Sequence, residues 1–432
     1  MQFRIVFLRA AVLFAFTIVT ILAGTGAMAQ SEKVLYSFAG SKNSDGSLPS
    51  SNLIFDQVGN LYGTTEKGGA YSGGTVFELS PATGGSWTEK VLYSFGSGAD
   101  GVDPKAGLTF DSTGNLYGTT YKGGAYGYGT VFELSSAGGG GWTESVLHSF
   151  GSATDGRNPE SRLTIDSPGN LYGTTFYGGT YTCGGAVTCG VVFELSATKG
   201  GWREAVLHDF GNGCTQPRSN CDGAYPNGGV ILDSSGHLYG ATTYGGTSVD
   251  ECFCGAVYDM ERTAKGTWLE GVISRKVEYP TGDLVFDSAG NLYGANAQRN
   301  CFGYGECGSV FELSPGTHAG WTEITLHNFG SPGLDGADPV SGLVFDPSSD
   351  SFYGTTPDSM DAGTRWGQGT VYELSAGTSG TWTFAVLYIF ESGGNDGASP
   401  RGIPVLDSSG NLYGTTYSGG THGLGTVYEV TP

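Results

Sequence analysis

Apolar residues alternate with small or polar ones at a period of two in short stretches, broken every few residues by Gly, Asn, Asp and Ser. Such a pattern predicts short half-buried strands joined by tight turns. One stretch shows a whole unit. Leu108 and Phe110 alternate with smaller residues in Gly107-Leu108-Thr109-Phe110-Asp111, Asn115 to Thr120 gives a second strand, Thr130 to Leu134 a third, and Trp142 to Phe150 a fourth. Asp111-Ser112-Thr113-Gly114-Asn115 reads as the first turn, because Asp accepts its own downstream N–H groups and Gly and Asn tolerate positive φ.

The unit repeats along the chain. Gly-Asn-Leu-Tyr-Gly-Thr-Thr or a close variant recurs with its tyrosine at Tyr62, Tyr117, Tyr172, Tyr239, Tyr293, Tyr353 and Tyr413, at intervals of 55, 55, 67, 54, 60 and 60 residues. That period exceeds helical repeats and suits a four-stranded blade with generous loops. Val34 to Phe38 is an isolated fourth strand and Thr426 to Val430 an isolated third strand. Pairing the two completes seven blades and leaves no exposed sheet edge. The predicted fold is all-β: a seven-bladed β-propeller, four antiparallel strands per blade, in a single domain over residues 30–432.

Residues 1–29 read as a signal peptide. Arg4 and Arg9 precede an apolar run from Ala10 to Ala23, and Ala27-Met28-Ala29 offers an export peptidase its small residues. The apolar run is shorter than the ~20 residues a spanning helix needs, so cleavage is expected and no membrane span remains. With 77 Gly and 16 Pro among 432 residues a helical bundle is disfavoured, while 38% apolar residues suffice for a core. Cleavage removes Arg4 and Arg9, leaving 41 acidic against 20 − 2 = 18 basic side chains, a charge of −23. No Lys/Arg cluster follows, which argues against a nucleic-acid partner and leaves cations, basic proteins or neutral glycans.

The Asp-x-x-Gly-Asn-Leu-Tyr-Gly-Thr-Thr string, the Gly-Gly-x-x-Gly-x-Gly-Thr-Val-Phe-Glu-Leu stretch and Val-Leu-Tyr-Ser-Phe resemble the GloVer tandem repeat of exported bacterial proteins, the "choice-of-anchor" group. The resemblance covers nearly the whole mature chain. It implies an extracellular repeat protein, often with a C-terminal surface anchor, and brings no catalytic residue. The chain ends at Thr431-Pro432 directly after a strand, so no such anchor is expected. The Asp-x-x-Gly-Asn-Leu-Tyr core is also similar to hairpins of sensor-kinase periplasmic propellers.

Repetition discounts several catalytic readings. His148, His208 and His327 share the repeat position of Tyr36, Tyr93 and Tyr388, so they lie one per blade, too far apart to cooperate. Asp56, Asp111, Asp166, Asp233, Asp287, Asp346 and Asp407 form one sevenfold set, and Glu78, Glu133, Glu194, Asp259, Glu312, Glu373 and Glu429 another. An acid/base pair needs unlike environments, so both sets read as structural hydrogen bonding. Asp-Gly recurs at Asp45, Asp100, Asp155, Asp222, Asp335 and Asp396 in the loops entering six of the seven blades and is missing before the fifth. Ordinary turns are the expectation there; Ca²⁺ binding is the competing one, and no other cofactor is expected. Tyr71, Tyr126, Tyr128, Tyr181, Tyr304 and Trp366 fall on loops of the same face, where packing on neighbouring loops is preferred over stacking on a ligand.

All eight cysteines sit in loops of that face, and disulfides Cys183 to Cys189 and Cys301 to Cys307 are expected, with zinc as the lesser reading. Cys214, Cys221, Cys252 and Cys254 pair with each other in an order left open. Between blades four and five the pattern fails: Lys276 replaces the fourth strand's final Phe, the following loop is short, and Ala295-Asn296 replaces Thr-Thr. A ligand site is expected in this sector, lined by Arg275, Lys276, Glu278, Tyr279, Arg299, Asn300, Tyr304 and Glu306, and not in a sevenfold channel ring. The function expected is a secreted, monomeric, non-catalytic binding or scaffold protein for an extracellular glycan or protein. The alternative is a secreted propeller hydrolase or lyase acting on carbohydrate.

Overall fold

The computed structural model describes residues 31–432 except 42–43, 152–153, 185, 215–220, 247–254, 298–306, 317–319, 331–334, 361–365, 378–379 and 392. The expected signal peptide therefore lies outside the described residues. Seven sheets of mainly four antiparallel strands stand in a ring, the arrangement of a β-propeller. In the second blade Thr109–Phe110 is innermost, followed by Leu116–Thr120, Thr130–Gly138 and the outermost strand Gly141–Ser149. Ring closure is as the chain ends predicted: Ser31–Ser37 pairs antiparallel with Thr426–Thr431, Val34 opposite Tyr428. Phe38 follows the last paired residue, its amide donates to the Gly425 carbonyl at 3.0 Å, and its side chain is fully buried in the core.

That core lies between blades. Phe38 at the end of the seventh blade's outer strand meets Phe77 of the first at 5.1 Å, within a cluster that also holds Leu35, Leu53, Leu61 and Leu79. The contact recurs as Phe95 on Phe132, Phe150 on Phe193, Phe210 on Tyr258, Phe329 on Tyr372 and Phe390 on Tyr428, all at 5.0 to 5.2 Å. Every blade thus carries half of each neighbouring interface, so no blade can bury its apolar faces alone.

The recurring Leu-Tyr-Gly-Thr-Thr string is explained residue by residue. Leu116 is fully buried, while Tyr117 directs its hydroxyl to Asp111 and Glu133, both at 3.3 Å. A Cβ on Gly118 would stand 2.6 Å from Cζ of Phe132, so only glycine lets that ring reach the sheet. Thr119 donates to the Ser161 carbonyl of the next blade at 3.2 Å, and Thr120 bonds Thr130 across the ladder at 2.8 Å. Blade five lacks both hydroxyls at Ala295-Asn296, yet its cross-links survive: Thr281 donates to the Pro339 carbonyl at 2.8 Å and Asn296 Nδ2 to Ser309 at 2.9 Å.

Candidate functional site

The loops entering each blade and those between its second and third strands share one face, where they pair directly. Gly46–Ser47 pairs with Lys67–Gly68, Gly101–Val102 with Lys122–Gly123, and Gly156–Arg157 with Tyr177–Gly178. The Asp-Gly carboxylates beneath are engaged inward. Asp45 accepts from Tyr36 Oη at 3.0 Å and from the amides of Ala39 and Gly46, and Asp396 does the same with Tyr388 and with Glu391 and Gly397. Where a histidine replaces tyrosine, its Nε2 faces the same carboxylate: His148 bonds Asp155 at 3.1 Å and His208 bonds Asp222 at 3.1 Å, while His327 lies 3.3 Å from Asp335 without a hydrogen bond between them. These residues fasten an outer strand to the next loop.

The two sevenfold carboxylate sets also have structural work. Asp56 Oδ1 accepts from the amides of Val58 and Asn60, and Oδ2 from Asn60 Nδ2 and Tyr62 Oη. Partial burial opposes ionisation, but these donors outweigh it and hold Asp56 below the usual carboxylate range. Sequence reasoning passed over a third set, Glu32, Glu89, Glu144, Glu204 and Glu270 on the outer strands. In each, Oε1 is buried and finds no hydrogen-bond partner among the described residues. Desolvation, with the carboxylate of the Asp-Gly loop that enters the same blade beside it, pushes Glu32, Glu144 and Glu204 up to about 7 and Glu89 to about 8.

Four of the loop aromatics depart from the packing preference. Tyr71, Tyr126 and Tyr181 occupy one repeat position on blades one, two and three and are 59%, 58% and 41% exposed; Tyr128 is 40% exposed. His422, also exposed, holds that position on blade seven, so the four are consecutive around the ring. Each tyrosine backs onto a positive-φ glycine, Gly96, Gly151 or Gly211, whose missing side chain lets the loop fold down while the ring stays in solvent. Arg157 lies over the Tyr128 ring at 4.7 Å. Tyr304 lies outside the described residues.

Cys183 is bridged to Cys189 as predicted, and Cys214 to Cys221, which settles the order left open for that pair. Cys252, Cys254 and Cys301 lie outside the described residues; Cys307 is buried. Of the expected sector residues, Arg299, Asn300, Tyr304 and Glu306 also lie outside them. The remaining four are distributed as follows. Arg275 Nη1 donates to the Cys221 carbonyl at 2.8 Å, Lys276 and Glu278 are exposed, and Tyr279, at φ 41°, sets its ring edge-on to Tyr244 at 5.4 Å. Lys276 does not vacate the aromatic core position. The chain shifts by one residue, so that fully buried Val277 enters the interface with Phe311, and its carbonyl accepts from Gly255 as Phe95 does from Gly73.

The central channel supplies a second concave region. Its mouth on the loop face, a cavity of about 130 Å³, is lined by the residues just after the proline that enters each blade. At the first position after proline stand Ser50, Lys105, Glu160, Asn227, Thr281, Val340 and Arg401; at the third, Asn52, Gly107, Arg162, Gly229, Asp283, Gly342 and Ile403. The first position differs in all seven blades, and the third carries Asn, Arg, Asp or Ile in four blades and glycine in three, while their surroundings repeat. That contrast was readable in the sequence and marks the channel as chemically asymmetric. Lys105 pairs with Glu160 at 3.1 Å, and Arg162 Nε lies 3.7 Å from Asp283. A cavity of about 590 Å³ opens towards the opposite face with an apolar wall that includes Phe55, Ile231, Leu284, Phe286, Val344 and Val405. Asn52, Arg162, Asp283 and Ile403 line both cavities and form the waist.

A profile of the Gloeobacter/Verrucomicrobia repeat matches residues 17–247, 85–307, 176–364 and 298–432. The chain belongs to this repeat family. In the Gloeobacter/Verrucomicrobia repeat, as this chain shows it, the shared string builds the blade interfaces and the residues after each entering proline are left to vary. Among solved structures, the chain is similar to a proposed gluconolactonase at 12% identity and TM-score 0.38, covering 85% of this chain and 95% of that one. It is likewise similar to a proposed oxidoreductase (glucose dehydrogenase) from Thermus thermophilus at 14% and 0.42, covering 93% and 100%. A luciferin-regenerating enzyme matches at 13% and 0.43, covering 93% and 95%. At these identities and TM-scores the three structures inform neither activity nor ligand. No curated protein matches the chain.

Proposed function

We propose that this repeat protein is an exported binding protein that presents its loop face to an extracellular glycan or protein. The observation that carries the reading is the arc of exposed tyrosines, Tyr71, Tyr126 and Tyr181, at one position on three consecutive blades. Rigid aromatic rings held on a fixed scaffold stack on sugar rings or partner side chains with little loss of conformational freedom. The two disulfides support folding in an oxidising compartment, as the N-terminal signal-like segment does. The test is a glycan array read beside a hydrolase and lyase screen on the same exported sample. Binding that falls at least tenfold in the Tyr71→Ala, Tyr126→Ala, Tyr181→Ala variant supports the reading. Turnover of a bound glycan, or binding indifferent to all three tyrosines, overturns it.

The sector between blades four and five is a second place for the same function, favoured by the Arg275 bond to the Cys221 carbonyl, which fastens its wall to a disulfide-bridged loop. Lys276→Ala and Arg299→Ala then weaken binding, whereas Lys122→Ala on the second blade does not. Equal losses for all three variants reject the sector.

A further inference from the structure

The third position after the entering proline does a structural job wherever it carries an acceptor. Asn52 Oδ1 accepts the Ile403 amide of the preceding blade at 2.6 Å, and Asp283 Oδ1 accepts the Gly229 amide of its own preceding blade at 2.7 Å. Each such bond satisfies a backbone N–H at the narrowest part of the ring. Arg162 stands at the same position and has donors only, so it cannot take that role. Its neighbours on both sides at this position are glycines, Gly107 and Gly229, which leave room for a guanidinium. The charge paired with it among the described residues, Asp283, faces Nε at 3.7 Å, beyond hydrogen-bond distance, and already accepts from Gly229.

Arg162 is therefore a planar donor at the channel waist whose outer fork makes no hydrogen bond among the described residues. Below it opens the cavity of about 590 Å³, in the size range of small-molecule sites, with apolar walls on which Arg162 and Asp283 are the charged residues. Above it the mouth holds Lys105, Arg162 and Arg401 against Glu160 and Asp283, an excess of one positive charge in a chain of net charge −21. Arg401 stacks on the Tyr417 ring at 4.0 Å and forms no ion pair among the described residues. An anion with an apolar body is complementary to this combination: two parallel acceptor oxygens match an arginine fork, and a hydrocarbon tail matches the wall.

We propose that the central channel binds a medium-chain organic carboxylate, its carboxylate on the Arg162 guanidinium and its tail in the apolar cavity. The site is separate from the tyrosine arc and does not depend on that reading. The experiment is isothermal titration of the full chain with decanoate, 1-decanol and acetate. Decanoate binds with one-to-one stoichiometry, and decanol and acetate each bind at least tenfold more weakly, because each lacks one half of the match. Arg162→Gln weakens decanoate at least tenfold. Asp283→Asn retains an acceptor for the Gly229 amide, removes the competing carboxylate and tightens decanoate several-fold. Thermal unfolding of both variants establishes that the ring is intact. No decanoate binding, equal binding of decanoate and decanol, an unchanged affinity in Arg162→Gln, or weakening in Asp283→Asn overturns the proposal.

Discussion

Glu32, Glu89, Glu144 and Glu204 make stability depend on pH in an unusual direction. Their folded-state pKa values of about 7, 8, 7 and 7 lie above the ordinary 4.5. A group whose folded pKa is raised keeps its proton longer in the native state, so the native chain binds more protons than the unfolded one between pH 4.5 and about 8. Stability therefore falls as pH rises through that window. A shift of 2.5 units corresponds to about 3.4 kcal/mol at ~1.36 kcal/mol per unit. These carboxyls keep one edge in solvent, and screening reduces that to roughly 1 kcal/mol each, or about 4 kcal/mol for the four. That is a large part of the ~5–15 kcal/mol by which folded domains exceed their unfolded state. Urea unfolding at pH 5.0 and 8.5, at fixed ionic strength, should show the lower midpoint at pH 8.5. Replacing all four by Gln keeps the shape, removes the titrating proton and should flatten the dependence. Stability that is equal or higher at pH 8.5, or a fourfold Gln variant with the wild-type slope, would refute the reasoning. At the acid end the sign reverses: donors hold Asp56, Asp111 and Asp407 low, so their contribution is present above about pH 4 and is lost as pH falls further.

Three further outcomes follow from the packing. Gly118→Ala forces a Cβ to within 2.6 Å of Phe132 and should lower stability by about 1–3 kcal/mol, and adding Phe132→Leu should recover part of it; a neutral Gly118→Ala contradicts the motif assignment. Phe38→Ala empties the closing interface and should cost about 3–5 kcal/mol in thermal or urea unfolding, with deletion of residues 30–38 more damaging still. Peptide mapping of non-reduced exported protein should return Cys183 joined to Cys189 and Cys214 to Cys221, with Cys301 joined to Cys307; zinc or several alkylatable thiols would contradict it.

The sequence alone determined the ring, because the physics of a blade is local and is written seven times. Strand alternation, the Asp-to-Asn turn and the interval between tyrosines fix each blade, and the complementary strands at Val34 and Thr426 fix closure. What the string does chemically was not legible, because its glycine and first threonine act on groups of another strand or another blade that sequence alone does not bring together. Gly118 is explained only by Phe132, and Thr119 only by the carbonyl of Ser161 on the next blade. The gap read at Lys276 was likewise decided in three dimensions, where a one-residue shift placed Val277 in the interface. Tertiary structure alone turned a row of outer-strand glutamates into half-buried acids, by setting each against the loop that enters its own blade. It also gathered Asn52, Arg162, Asp283 and Ile403 at one waist, although Asn52 and Ile403 are 351 residues apart. A repeat fixes its own strands, whereas a channel at the centre of a ring belongs to no single repeat and exists only when all seven have closed around it.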